Sequence, residues 1–194
     1  MLLNNPKFYI FIKKIKEINN QTLKKFKNCA IVYNERIITS NKLIEIQKIK
    51  KFCKKNYLSF FILNDFKLAH KIKAEGIYLT SDNRLIGRGR LENKLIVIGS
   101  AHNQIEYFYK NSQFCKTIIL SPIFYNIKYS LHKILHLRKF NLISLNWKNE
   151  ICALGGINDG NFKLISLTKS NSIGFSSFLT NAKKPVYRLN KRAF

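Results

Sequence analysis

The chain has 194 residues, enough for one domain with a sizeable core but short for eight strands and eight full helices, which typically take ~250 residues. Apolar residues at 46% and aromatics at 13% exclude general disorder. A balance of 35 Lys+Arg against 10 Asp+Glu, net +25, points to anionic partners: nucleic acid, an anionic membrane or phosphorylated small molecules.

Only seven of the basic residues are Arg, the side chain suited to bidentate phosphate and base contacts, and the Lys are spread along the chain. This argues against a dedicated nucleic-acid binder and fits composition drift with mild steering of phosphorylated ligands. No signal-like leader follows Met1, and no apolar run approaches the ~20 residues that span a bilayer. Cys29, Cys53, Cys115 and Cys152 show no CxxC spacing. Buried free thiols in a reducing cytoplasm are expected, with no membrane segment.

In chain order, Phe8–Ile12 is a plausible first strand, and 13–28 is a polar stretch expected to hold a helix broken at Asn19-Asn20. The second strand ends near Glu35. A helix over 41–55, capped by Ser40, carries its apolar face on Leu43, Ile44, Ile46, Ile49 and Phe52. The third strand closes at Asp65, a short helix covers 66–74, and the fourth strand begins at Gly76. The segment 83–93 reads as a loop. The fifth strand ends at Ser100 and a helix over 103–111 has Ile105, Phe108 and Tyr109 as its apolar side. The sixth strand is expected over 117–124, a loop over 125–129, a helix over 130–144, the seventh strand up to Gly155, a helix over 161–169 and the eighth strand over 173–179. The last residues, 181–194, form a basic tail.

The strands read as unbroken apolar runs, which suits strands buried on both faces of a parallel sheet, and seven of them end in small or polar residues, where α/β folds bind ligands. The expected fold is therefore a single (β/α)8 TIM-barrel domain with shortened helices, the barrel spanning about 8–180.

Several run ends carry candidate chemistry. Asn64-Asp65 offers an Asp for Mg²⁺ and an amide for phosphate, or equally an Asp that caps the next helix. Gly155-Gly156 and Ser176-Ser177 close the seventh and eighth strands, a recurrent phosphate site in barrels; the alternative is a tight turn. Ser100 can contact substrate, and Lys128 can reach a phosphate across the mouth. A Ser100–His102 nucleophile pair lacks a third orienting group. His132 and His136, four apart on an expected helix, would share a face without a further metal ligand.

The stretches Ile62–Ala69, Ala74–Leu79, Ile98–His102, Leu120–Phe124 and Ala153–Ile157, with Gly-Phe-Ser-Ser at 174–177, occur in an order that resembles the thiamine phosphate synthase/TenI family. The resemblance implies a (β/α)8 barrel that condenses hydroxymethylpyrimidine diphosphate with thiazole phosphate and releases diphosphate with Mg²⁺. It gives Asn64 a diphosphate-binding role, Asp65 a metal-linked role, Ser100 a substrate contact, and Gly155, Gly156 and Ser177 a phosphate cradle. The family's strand-two Gln-x-Arg-x-Lys reads Val32-Tyr33-Asn34-Glu35-Arg36 here, so Asn34 and Arg36 remain as the diphosphate candidates. The second metal Asp falls on Asn83, with Asp82 beside it; Lys128 is the remnant of the strand-six loop. The metal set implied is Asp65, Asp82 and Asn83, and the catalytic set Asp65, Ser100 and Lys128. The tautomerase branch of the family uses a His where this chain has Ser121-Pro122. The expectation is an enzyme of thiamine biosynthesis acting on small phosphorylated substrates, with a homo-oligomer left open. The alternatives are a tautomerase-like enzyme or a weakened phosphate-ligand binder and, more remotely, a basic nucleic-acid-binding protein.

Overall fold

A computed structural model describes residues 6–18, 23, 26, 28–86, 94–125 and 130–176. Eight parallel strands close into a barrel in sequence order: β1 (Phe8–Ile12), β2 (Cys29–Tyr33), β3 (Ser59–Leu63), β4 (Gly76–Leu79), β5 (Ile96–Ala101), β6 (Thr117–Leu120), β7 (Glu150–Leu154) and β8 (Ser172–Phe175). Closure comes from β1 pairing with β8, with Tyr9 opposite Gly174. The α-helices bounded within the described residues are α1 (Ser40–Lys55), α2 (Phe66–Lys71), α3 (Gln104–Ser112) and α4 (His136–Ser144). Short 3-10 segments lie at Ile15–Glu17, Leu131–Lys133 and Phe162–Leu167, the last of them standing alone in the crossover between β7 and β8.

The apolar runs hide a strict alternation. Tyr9, Phe11, Val32, Phe61, Tyr78, Ile98, Ile119 and Cys152 point inward and form one buried cluster. Their neighbours Ile10, Ile31, Phe60, Ile77, Ile118 and Ile151 point outward and pack in a second cluster with the helices. Successive side chains in a strand face opposite sides, and both sides of this sheet are buried. The interior is filled by aromatic rings in edge contact: Tyr9 with Phe61 at 5.9 Å and Phe11 with Tyr78 at 5.2 Å between centroids. A Cβ on Gly76 would stand 2.3 Å from the Phe61 ring, so the missing side chain of β4 makes room for the large one of β3.

Several boundaries differ from the sequence expectation, each for a local reason. Of the expected 13–28 helix, broken at Asn19-Asn20, the described residues show a 3-10 turn at Ile15–Glu17, tied by the Ile15 N–H to Glu45 of α1 at 2.5 Å, and a helical Leu23; most of 19–27 lies outside the described residues. Ser40 is the first residue of α1, and the cap position is Thr39, without a side-chain bond. The buried face of α1 is Ile46, Ile49 and Cys53, while Ile44 faces solvent. The sixth strand stops at Leu120 because Pro122 has no N–H for the ladder. The expected 130–144 helix is broken at 134–135: Leu135 N–H bonds to the Pro122 carbonyl and His136 N–H to the Ile123 carbonyl, both at 2.9 Å. His132 and His136 therefore lie on different elements. The 161–169 helix is a 3-10 segment ended by the Thr168 hydroxyl, which bonds back to the Ile165 carbonyl. In α3, Tyr107 and Lys110 are buried, and Ile105 and Phe108, expected inside, face solvent. Lys128, Ser177 and the 181–194 tail lie outside the described residues. Among the described residues no helix is long and apolar enough to cross a membrane.

Two outcomes follow. Phe61→Ala removes a fully buried ring from the barrel interior and is expected to cost about 3–5 kcal/mol, read as a drop in the denaturant midpoint. All four cysteines are buried, and burial pushes each thiol up to about 12. The native protein should leave Ellman's reagent unreacted at pH 8 and release four equivalents of thiol once unfolded.

Candidate active site

The C-terminal ends of the strands surround a cavity of about 310 Å³. Phe11 and Tyr78 form part of its floor, continuing the aromatic fill of the barrel. Asn34 and Arg36 reach it from the loop after β2, and Thr80 and Ser81 from the turn after β4. Ser100 and His102 come from β5 and the residues after it, Ser121 from the end of β6, and Leu154, Gly155 and Ser176 from β7 and β8.

Ser100 is buried at the end of β5, and the Tyr78 phenol donates to its Oγ at 3.1 Å. With that acceptance made, the Ser100 O–H is left as a donor, and Ser100 lines the cavity. His102 Nδ1 stands 2.6 Å from the Ser121 carbonyl oxygen. A carbonyl only accepts, so Nδ1 carries a proton. The His102 backbone N–H is bonded to Glu106 at 2.7 Å, in the first turn of α3, which Asn103 caps. Gly155 has φ +99°, and a Cβ there would sit 2.8 Å from Pro122, so glycine lets the ends of β6 and β7 meet at the rim.

Arg36 and Asp82 bridge the loops after β2 and β4 by a bidentate pair, 2.9 and 3.1 Å. The side chains are 66% and 58% exposed, so the pair orients the guanidinium rather than stabilising the fold appreciably. A hydrogen bond from the Thr80 hydroxyl, and then Arg36, hold the Asp82 carboxyl below the usual carboxylate range. A lowered value means the pair persists through neutral pH and is lost only as pH falls through it.

The sequence candidates separate accordingly. Asn34, Arg36, Ser100, Gly155 and Ser176 line the cavity. Asn64, at φ 52°, bonds Thr80 through both its amide atoms and accepts from Asn83, so it joins the β3 and β4 ends rather than facing the cavity directly. Asp65 caps α2, its Oδ1 accepting from Leu68 N–H at 2.9 Å. The Gly156 carbonyl accepts from Asn161, and its φ of +69° makes the turn after β7. Tyr78, Thr80, Ser81, His102 and Ser121 are cavity residues that the sequence reading did not select. Tyr78 was legible in principle, since it lies on the inward parity of β4 next to its end.

The sequence profile described as thiamine monophosphate synthase matches residues 11–178. The chain belongs to that family. It is 32% identical over 153 residues to the thiamine-phosphate synthase of Pelagibacter ubique, covering 74% of this chain and 70% of that one. With the thiamine-phosphate synthase of Flavobacterium psychrophilum it shares 30% over 158 residues, 75% and 76% of the two chains. In three dimensions it resembles thiamine phosphate pyrophosphorylase from Pyrococcus furiosus, with a TM-score of 0.75 at 19% identity over 94% of this chain and 91% of that one.

Family membership raises the question of Mg²⁺, and the donor set answers it in part. Asn83 does not fit a metal: its Oδ1 accepts from Leu85 N–H and Gln113, and its carbonyl from Lys110 and Gln113. Among the described residues no three His, Cys, Asp or Glu side chains group as a metal cage. Asp65 keeps its second carboxylate oxygen beyond the cap bond, a donor that suits a hard cation, whereas both Asp82 oxygens receive Arg36. Asp65→Ala removes the α2 cap and is expected to cost ~1 kcal/mol of stability, whereas Asp65→Asn keeps a capping oxygen and should cost much less, both read by chemical denaturation.

Proposed function

We propose that this barrel is a thiamine-phosphate synthase-like transferase, joining hydroxymethylpyrimidine diphosphate to thiazole phosphate with release of diphosphate. The observation that carries the reading is the arrangement of anion-handling groups on opposite arcs of one cavity. Arg36, Thr80 and Ser81 stand on the β2–β4 side, and Gly155 and Ser176 on the β7–β8 side, in a chain of this family. Two phosphorylated substrates need two such places.

In this reading the diphosphate lies along the β2–β5 arc, where Arg36 supplies a fixed charge and Ser100 of β5 a hydroxyl donor. The bond from the pyrimidine methylene to the diphosphate oxygen breaks, with the electron pair leaving on oxygen. The methylene carbon becomes electron-poor, and the thiazole nitrogen lone pair forms the new C–N bond. Donors aimed at the departing oxygens act where charge develops, which is where such donors have most effect. The backbone at Gly155 and the Ser176 hydroxyl orient the thiazole phosphate. The aromatic floor of Phe11 and Tyr78 and the apolar Leu154 exclude water from the electron-poor carbon. Asp65 is the residue that would hold Mg²⁺, with Asp82 available to it only on release of Arg36, and the ion when bound would draw charge from the leaving group.

The test is turnover. Purified protein with both substrates and Mg²⁺ should form thiamine phosphate and release one diphosphate per product. Ser100→Ala should lower kcat/KM by about 10²-fold. Binding of thiazole phosphate without any condensation would instead make the barrel a phosphate-ligand binder.

A further inference from the structure

Lys110 is 0% exposed, on the buried side of α3, and forms no ion pair among the described residues. A buried ammonium is costly unless its protons are satisfied, and here they go to the Asn83 carbonyl at 2.6 Å and the Gln113 Oε1 at 2.8 Å. Gln113, 1% exposed, in turn donates to the Asn83 carbonyl, the Asn83 Oδ1 and the Leu85 carbonyl at 3.0–3.1 Å. The barrel makes room for this cation. A Cβ on Gly99 of β5 would stand 2.6 Å from the Lys110 Cδ.

From Asn83 the bonding continues to the cavity. Asn83 Nδ2 donates to Asn64 Oδ1 at 3.1 Å, and Asn64 Nδ2 donates to Thr80 Oγ1 at 2.8 Å. The Thr80 N–H donates back to Asn64 Oδ1 at 3.1 Å, so the turn is held to Asn64 through both ends of its amide. Thr80 lies in the same turn as Asp82, whose carboxylate receives both arms of the Arg36 guanidinium.

We propose that Lys110 is a positioning residue: with Gln113 it clamps the 80–83 turn from inside the protein and, through Asn83, Asn64 and Thr80, sets Asp82 and hence Arg36 for an anionic ligand. The role for an incoming diphosphate rests on the synthase reading. The clamp itself does not.

Lys110→Met keeps the aliphatic stem and removes the ammonium. Asn83→Ala, at a half-exposed position, cuts the side-chain link between Lys110 and Asn64 and serves if the first variant fails to fold. Two measurements are made on each: amide hydrogen exchange across 80–86, and binding of inorganic diphosphate and of thiazole phosphate by calorimetry. The expected result is faster exchange confined to the 80–86 turn, with diphosphate binding weakened about tenfold and thiazole phosphate binding unchanged. Unchanged exchange at 80–86 overturns the clamp. Faster exchange throughout the barrel, with both ligands weakened equally, overturns positioning in favour of a purely structural role. If the native protein binds no diphosphate, the synthase reading fails, and the exchange measurement alone still decides the clamp.

Discussion

Closure of the parallel barrel is the constraint on which the rest depends. Each strand has a hydrogen-bonded neighbour on both edges, including the β1–β8 seam, and each is buried on both faces. No strand face is left for solvent, so polar side chains are displaced to the strand ends. Aromatic rings fill the interior, with Gly76 leaving room for the Phe61 ring. The described cavity accordingly lies at the rim, bounded by Phe11 and Tyr78. The site follows from the way the core is filled.

The rim is in turn held by bonds that cross between loops. Tyr78 fixes Ser100, Ser121 fixes the His102 ring, and Asn64 fixes Thr80. Loops of this kind have few buried apolar contacts, so hydrogen bonds decide their geometry. The most deeply anchored of them is the turn after β4, because one of its carbonyls receives a buried ammonium. An ammonium at that depth is tolerated only with good partners, so the turn that supplies them has little freedom to move.

The sequence carried the fold because its signal is collective: eight apolar runs with helical or loop crossovers have few other solutions. It did not carry the faces of the helices. In α3, Ile105 and Phe108 look like the inner side, yet Tyr107 and Lys110 take it. Periodicity alone cannot say that Gly99 leaves a slot suited to a lysine stem. The end of β6 was misjudged because the run continues through Ile123-Phe124, although Pro122 cannot pair within it. At the site, residue type pointed to Asn34, Arg36, Ser100, Gly155 and Ser176, which the fold places at the mouth. It could not separate Asp65 as helix cap from Asp65 as metal ligand, since one carboxylate oxygen can cap while the other remains for a cation.

The distribution of the few acids bears on how the site works. In a chain with 10 Asp+Glu and net +25, carboxylates stand mostly where a backbone N–H needs an acceptor. Glu45 takes Ile15, Glu75 takes Phe60, Glu106 takes His102 and Asp65 takes Leu68. Asp82 differs, since its strongest visible partner is a guanidinium at the mouth. A carboxylate in that place opposes an anionic ligand by charge alone, and at this exposure its pairing adds little to stability. Its effect is geometric: it fixes the Arg36 fork, which on a long and exposed side chain would otherwise sample many rotamers. A fork already oriented loses less entropy on meeting a phosphate. The positive field of the whole chain offsets the local repulsion by raising the concentration of anions near the rim.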